Sequence, residues 1–176
     1  MTYLMKMPSP VGQLHLASDG EAITGLWIEG QKYFAATLDS DIREQPELPP
    51  FYQAVDWLTA YFAQKPLPLM PPLAPKGSSF RQAVWQQLLA IPYGFTTTYG
   101  RLASTLRDAG ISAAAQAVGG AVGHNPISIL IPCHRVVGAD GSLTGYAGGI
   151  HIKEQLLELE GVDMRGMYLP KKGTAL

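Results

Sequence analysis

GHNPISILIPCHRVVGADGSLTGYAGG, residues 123–149, contains the only cysteine of the 176-residue chain. Residues 129–131 form a short apolar run that we expect to be buried, and Pro132 ends regular structure there because proline lacks a backbone donor. Cys133 therefore lies where a buried segment breaks, directly before His134. A thiol reacts as its thiolate, and a nearby imidazole can remove the proton. The stretch predicts either a reactive Cys-His pair or a small buried cysteine beside an unrelated histidine.

A third group that could orient His134 lies in the last predicted helix, residues 152–160. At about 100° per residue, the aliphatic side chains of this helix form one broad arc, with Glu154 and Glu158 opposite. Glu160 falls inside the apolar arc, where a carboxylate is costly unless it is paired. We expect Glu160 either to pair with His134, directly or through a water, or to fray into solvent at the helix end.

The chain before this stretch predicts a small sheet, one helix and a connector. Two strand-like runs flank Asp19 and Gly20, a strong hairpin turn signal. Apolar residues at i, i+4, i+7 and i+11 then form one face of a helix, namely Phe51, Val55, Leu58 and Phe62. Five prolines in residues 65–77 fix φ and remove backbone donors, so we expect an extended connector and a domain boundary there.

Three short helices are predicted between the connector and the cysteine. Ser79 is a candidate cap for the first, and the second begins near Thr97 or Thr98. Ser112 is a candidate cap for the third, residues 113–123. Two helices joined by a short turn form a helix-turn-helix arrangement.

The third of these helices, AAAQAVGGAVG, carries almost no bulky or charged side chain. Gly119 and Gly120 each cost a helix about 1 kcal/mol relative to alanine. A helix that reads the major groove needs side chains such as arginine or asparagine, whereas the minor groove is only about 6 Å wide. The composition indicates either close helix packing in the core or insertion into the minor groove.

Composition excludes several classes of protein. The sequence has no run of about 18 apolar residues and no secretory signal, so we expect a cytoplasmic protein that spans no membrane. A lone cysteine excludes an internal disulfide and a Cys-rich zinc site. Residues 1–76 carry a net charge of −3 and residues 77–176 a net charge of +2. This asymmetry fits DNA contact by the second part but does not by itself predict it.

Residues 131–136, Ile-Pro-Cys-His-Arg-Val, resemble the active-site signature of the O6-alkylguanine-DNA alkyltransferases, also called methylated-DNA–protein-cysteine methyltransferases. The resemblance covers about residues 78–162, whereas residues 1–65 match only in layout. It also takes in Tyr99, Ala-Val-Gly-Gly at 117–120, Asn125, Pro126, Gly-Tyr-Ala-Gly-Gly at 145–149, and residues 153–160.

The resemblance implies an α/β (α+β) fold with two domains. A small ribonuclease H-like sheet-and-helix domain would occupy residues 1–70, followed by a proline-rich linker at 71–77. A helical, winged helix-turn-helix domain with the active site would occupy residues 78–165, before a loose tail at 166–176. The family acts on double-stranded DNA, and we expect a monomer.

The activity implied by the resemblance is one irreversible transfer of an alkyl group from O6 of guanine, or from O4 of thymine, to Cys133. His134 would take the thiol proton through a bound water, and Glu160 would orient His134 and balance its charge. Asn125 would brace the turn that carries the cysteine. Tyr99 would donate a hydrogen bond towards the purine. No metal and no organic cofactor is implied, because the thiolate displaces carbon directly.

The resemblance also assigns substrate and DNA contacts. The slim helix would enter the minor groove, and the damaged base would be flipped out of the stack. The amide of Ala147 would face O6 of the guanine, and small side chains in the pocket wall, including that of Ser128, would leave room for larger alkyl groups. The implied pocket residues are Val136, Tyr146, Ala147 and Gly148. The implied DNA contacts are Tyr99, Ala115, Gln116, Ala117, Gly119 and Arg135.

Gln116 departs from the family pattern, in which an arginine fills the space left by the flipped base. Glutamine is shorter and uncharged, so it lacks the phosphate and stacking attraction of a guanidinium. We expect weaker DNA binding or slower flipping, with the transfer chemistry intact.

Other functions make different predictions. A lesion-recognition module of similar fold would bind alkylated guanine without repairing it, but such relatives lack the reactive cysteine. A cysteine hydrolase built on Cys133 and His134 would turn over esters or amides, and it leaves the helix-turn-helix unexplained. A transcription regulator is disfavoured because the chain has no second domain with metal-binding cysteines.

Overall fold

A computed structural model describes residues 1–170 and has the predicted α/β class. The chain divides into two compact units. The first contains Met1–Lys76 together with Pro126–Leu130, and the second contains Gly77–Asn125 and the chain from Ile131 onward. The inclusion of residues 126–130 in the first unit was not anticipated by the sequence.

A four-stranded sheet forms the frame of the first unit, and its strands are β1 (Thr2–Met7), β2 (Leu14–Ser18), β3 (Ile23–Ile28) and β4 (Ile42–Glu44). The order is β3-β2-β1-β4, with β1 antiparallel to β2, β2 antiparallel to β3, and β1 parallel to β4. The predicted hairpin between β2 and β3 is confirmed. The Asp19 carboxylate accepts hydrogen bonds from the amides of Glu21 and Ala22, and Gly20 has a φ of +104°.

Helix α1 (Pro49–Phe62) follows the sheet and buries one side. Phe51 and Leu58 are fully buried, as predicted, but Val55 and Phe62 are only half-buried. The buried stripe instead includes Ala54, Trp57 and Tyr61. The helix presents Trp57 and Tyr61 to the core, and each of these rings buries more apolar surface than Val55 would.

Residues 126–130 pair with the edge of β3 inside the first unit. The Leu26 amide donates to the Pro126 carbonyl over 2.8 Å, and the Ser128 amide donates to the Leu26 carbonyl over 2.9 Å. The Ser128 hydroxyl donates to Oε1 of Gln31 over 3.3 Å. Ile129 is buried with a φ of +70°, a left-handed conformation that costs a β-branched residue about 1–2 kcal/mol. The surrounding contacts must outweigh this strain.

Helices dominate the second unit. Its elements are α2 (Ser79–Leu89), β5 (Thr97–Thr98), α3 (Tyr99–Asp108), α4 (Ala115–Gly123), a one-turn 3-10 helix (Cys133–Arg135), β6 (Val136–Val137) and α5 (Ile150–Leu159). Strands β5 and β6 are parallel. The Trp85 indole donates to the Ala121 carbonyl over 2.9 Å and joins α2 to α4.

Two predicted helix caps, Ser79 and Ser112, do not cap their helices. Ser78, rather than Ser79, caps α2 by accepting a hydrogen bond from the Arg81 amide. Helix α4 begins two residues later than predicted, after Ala114 and without a side-chain cap. Helix α3 begins at Tyr99, close to the predicted start, and the Thr98 side chain caps it by accepting a hydrogen bond from the Arg101 amide.

The described part of the predicted loose tail is anchored. The Leu143 amide donates to the Tyr168 carbonyl, and the Tyr168 amide donates to the Gly141 carbonyl, each over 3.0 Å. Met164 and Met167 pack against a small core of Val137, Leu143 and Leu157. Residues 171–176 of that tail lie outside the described residues. Among residues 1–170, no helix has the length and apolar character to cross a membrane.

Candidate active site

Cys133 begins the one-turn helix and is almost enclosed, with 4% of its surface exposed. Its amide donates to the Ile131 carbonyl over 2.8 Å. The Asn125 side-chain amide donates to the same carbonyl over 2.8 Å, a contact that fits the bracing role expected for Asn125. Burial raises the pKa of the Cys133 thiol, while a hydrogen bond from Asn125 and the charge of Lys153 oppose that rise. Ionisation of this thiol therefore needs help from its surroundings.

His134 follows Cys133 and is completely buried. Its Nε2 lies 3.1 Å from Oε1 of Glu160, so Nε2–H donates to the carboxylate directly, without a bridging water. Nδ1 has no hydrogen-bond partner within residues 1–170. Burial lowers the pKa of His134, and Glu160 only partly opposes this effect. The imidazole is therefore neutral at pH 7 and has one nitrogen that can accept a proton.

Glu160 caps the end of α5 and is buried, so of the two alternatives that the sequence left open, pairing with His134 holds rather than fraying into solvent. Nε of Arg135 lies 3.0 Å from each carboxylate oxygen, and Nη2 lies 2.5 Å from Oε1. Burial raises the pKa of Glu160, but the hydrogen bonds from His134 and Arg135 outweigh it and lower the pKa to about 2. The carboxylate is ionised at every physiological pH.

The structure places Arg135, one of the expected DNA contacts, inside the protein, and its contact with DNA stays a prediction. The guanidinium is buried, donates to the Ile91 carbonyl over 2.7 Å, and lies 5.8 Å from the centre of the Tyr93 ring. Its remaining donors face Glu160. Glu160 compensates the charge of Arg135 inside the protein, as a buried cation requires.

Tyr99 is the first residue of α3, and its hydroxyl donates to the Thr144 carbonyl over 2.8 Å. Burial raises the pKa of Tyr99, so the phenol remains a donor. A Cβ at Gly145 would collide with the Tyr99 hydroxyl, which explains a glycine at this φ of +82°. The expected hydrogen bond to a purine requires Tyr99 to exchange its partner.

The expected pocket residues are enclosed to different degrees. Val136 is fully buried and Tyr146 nearly so, whereas Ala147 and Gly148 are half-buried. The rings of His134 and Tyr146 meet edge to face with centres 6.4 Å apart. Ser128, the other small wall residue suggested by the sequence, belongs to the first unit, where its hydroxyl is engaged by Gln31.

The first turn of α4 is open to solvent. Ala115, Gln116 and Ala117 are exposed, and Val118 is buried. A Cβ at the half-buried Gly119 would make ordinary contact, at 3.8 Å, with the Tyr99 ring. The small residues of the first turn therefore form an exposed surface, while a Cβ at Gly120 or Gly123 would meet nothing within 4 Å, so the later glycines are not required by close packing.

Lys153 was missed by the sequence analysis. It is fully buried on α5, and its Nζ donates to the carbonyls of Val136 and Thr144. Burial lowers its pKa to about 8. The signal was present, since Lys153 precedes Glu160 by seven residues and thus shares its helix face.

Residues 1–170 contain no cluster of three or more histidine, cysteine or acidic side chains suited to hold a metal.

Two family models match the chain. The 6-O-methylguanine DNA methyltransferase ribonuclease-like domain matches residues 2–75, and the DNA binding domain of the same family matches residues 79–162.

Similar proteins span nearly the whole chain. The methylated-DNA–protein-cysteine methyltransferase of Mycobacterium tuberculosis is 46% identical over 91% of this chain and 93% of its own length. The enzyme of that name from Haemophilus influenzae is 44% identical over 90% of this chain and 86% of its own. A crystal structure of Mycobacterium tuberculosis OGT in complex with DNA matches with a TM-score of 0.79 at 45% identity, covering 90% of this chain and 92% of that one. On these matches, and as its sequence resemblance predicted, the chain belongs to the methylated-DNA–protein-cysteine methyltransferase family.

Proposed function

We propose that this chain repairs double-stranded DNA by moving one alkyl group from O6 of guanine onto Cys133. The observation that carries the proposal is the enclosed Cys133 followed by a buried His134–Glu160 pair, since a thiol with this neighbour has a route for its proton. The membership of the family and the relative in complex with DNA agree with it.

In the proposed reaction, His134 receives the thiol proton through a water, and Glu160 stabilises the resulting imidazolium. The Cys133 sulfur then attacks the alkyl carbon, an S–C bond forms, and the C–O6 bond breaks with its electron pair left on guanine. Tyr99 donates a hydrogen bond to the purine as this charge develops, and the base finally takes up one proton. The thioether is stable, so each molecule reacts once.

The structure supports the proposed roles of the other residues to different degrees. Asn125 holds the Ile131 carbonyl and thereby the turn before the cysteine. Val136, Tyr146, Ala147 and Gly148 remain our proposed pocket, with the Ala147 amide facing O6. The exposed residues Ala115, Gln116 and Ala117, together with Tyr99 and Gly119, remain our proposed DNA contacts.

A stoichiometric mass experiment tests the proposal. The protein is incubated with excess duplex that contains O6-methylguanine, and we expect one methyl group per chain, located on Cys133 by peptide mapping. Cys133→Ser is the control and should gain no mass. Binding without mass gain would favour a lesion-recognition module, and continued turnover of an ester or amide would favour a hydrolase.

Parallel reactions with O6-benzylguanine and with duplex containing O4-methylthymine define the range of substrates. The monomeric state and the cytoplasmic location stay predictions from the sequence; light scattering with and without duplex checks the first.

A further inference from the structure

Lys153 is a buried cation without a carboxylate partner within residues 1–170. Its side chain has no exposed surface. The nearby carboxylate, Glu160, is taken by His134 and Arg135 instead. A buried ammonium is strongly disfavoured unless an anion or several hydrogen bonds compensate it. Glu160 therefore does not compensate Lys153, and the compensation comes from hydrogen bonds or from another group of the site.

The hydrogen bonds of Lys153 direct it to the reacting segment. An ammonium has three donors, and two of them go to the carbonyls of Val136 and Thr144. Val136 follows the one-turn helix that begins with Cys133. The Thr144 carbonyl also accepts from the Tyr99 hydroxyl, so one loop oxygen joins the lysine and the tyrosine.

When Lys153 is protonated, the charges around it balance if Cys133 is ionised. Arg135 and Glu160 neutralise each other, and burial keeps His134 neutral. The positive charge of Lys153 also disfavours protonation of His134. Of the titratable groups that interact with Lys153, only Cys133 can become an anion: its charge raises the pKa of the lysine, although burial, the larger effect, lowers it.

We propose that Lys153 is a positioning residue of the transfer reaction, whose buried ammonium is the counter-charge of the Cys133 thiolate and whose hydrogen bonds fix the Thr144 loop. This inference rests on the proposed function, because it explains how an enclosed thiol is ionised for attack. It assigns a division of labour in which His134 receives the proton and Lys153 stabilises the anion that remains.

A thiolate titration tests the counter-charge without DNA. The chain has one cysteine, so the ultraviolet absorbance of thiolate, corrected with Cys133→Ser, reports on Cys133 alone. We expect Lys153→Met to move the inflection upward by about one to three pH units, as loss of a nearby opposite charge does. Lys153→Arg keeps the charge, so its inflection should lie close to that of the unmutated chain. Circular dichroism establishes that each variant is folded.

An unchanged inflection in folded Lys153→Met would overturn the proposal, since a purely structural lysine would alter stability and leave the thiol titration in place. Failure of the protein to take an alkyl group from guanine would instead contradict the proposed function, because this titration involves no substrate.

A second measurement uses the unmutated side chain and remains decisive if Lys153→Met does not fold. Coupling between two titrating groups is reciprocal. Methyl iodide is used to convert Cys133 to its neutral thioether, verified by mass, and the lysines are followed by NMR with carbon-13 at Cε. We expect the pKa of Lys153 to fall by about the same one to three units. A pKa that is the same before and after methylation would refute the pairing.

Discussion

Glu160 accepts hydrogen bonds from His134 and Arg135. The positive charge of Arg135 opposes the rise that Glu160 produces in the pKa of His134. A carboxylate facing histidine alone would favour the imidazolium, which cannot accept a further proton. Arg135 already compensates the negative charge, so burial dominates and the imidazole stays neutral. Arg135 therefore acts in the same direction as burial on the proposed base, although it does not take up a proton itself.

Replacing Glu160 with glutamine should harm both stability and transfer. The change removes a buried anion and leaves Arg135 unpaired, which costs about 3 kcal/mol of unfolding free energy. It also removes the group that stabilises protonated His134, so we expect a single-turnover rate at least about tenfold lower. Urea unfolding and quenched mass assays measure the two effects. The matched control is Glu158→Gln, exposed on the same helix, which should change stability by less than about 0.5 kcal/mol.

The same carboxylate predicts an acid dependence of stability. The pKa of Glu160 is about 2 in the folded chain, below its ordinary value of 4.5. A lowered folded pKa stabilises the fold above the unfolded pKa, and this contribution is lost as the pH falls towards 2. The stability difference between the unmutated chain and Glu160→Gln should therefore be constant from pH 7 to 5 and shrink below about pH 4.5. A difference independent of pH down to 2 would contradict this assignment.

Local signals explain which site residues the sequence could predict. The adjacency of Cys133 and His134 and the helical phase of Glu160 are properties of a few neighbouring residues. The resemblance assigned Arg135 to DNA, and its burial could not be predicted because the direction of its side chain depends on the one-turn helix and on Glu160, which is 25 residues away. Lys153 was overlooked because lysine on an apolar face usually extends its ammonium into water.

Helix α4 exposes a first turn with two alanines and one glutamine, and this turn is the element we expect to enter DNA. Gln116→Arg should increase duplex affinity or the transfer rate, because a guanidinium adds phosphate attraction and stacking. Fluorescence anisotropy and single-turnover transfer on methylated duplex measure the gain. Gln86→Arg, exposed on α2, adds the same charge elsewhere and should give a smaller increase. Equal effects from the two variants, or no effect from either, would contradict a specific role for position 116.

The elements were predicted better than their ends. The hairpin at Asp19 and Gly20 and the three helices after the connector follow from turn chemistry and apolar spacing. The start of α2 was misplaced because Ser78 and Ser79 both have capping hydroxyls and only three-dimensional geometry selects one. The pairing of residues 126–130 with β3 is a long-range contact that no local pattern encodes.

At the scale of the whole molecule, the first unit is built from two separate parts of the chain. The five buried residues 126–130 depend on Leu26 for backbone hydrogen bonds. A chain truncated to residues 77–176 would leave these donors, acceptors and apolar side chains exposed. We expect it to lose cooperative unfolding and the reactivity of Cys133 towards iodoacetamide relative to the full chain under native conditions. A truncated chain that unfolds cooperatively and reacts at the full rate would show that the first unit is dispensable.

A nearly neutral chain with an uncharged first turn on α4 should also differ from basic DNA-binding proteins in the salt dependence of its DNA affinity. Each phosphate neutralised by a cation displaces condensed counterions and adds about 0.9 to the slope of log affinity against log salt concentration. Alanine and glutamine displace none. Association through this turn should consequently persist at ionic strengths that dissociate lysine-rich binders, and base extrusion rather than phosphate attraction should govern how long the complex lasts.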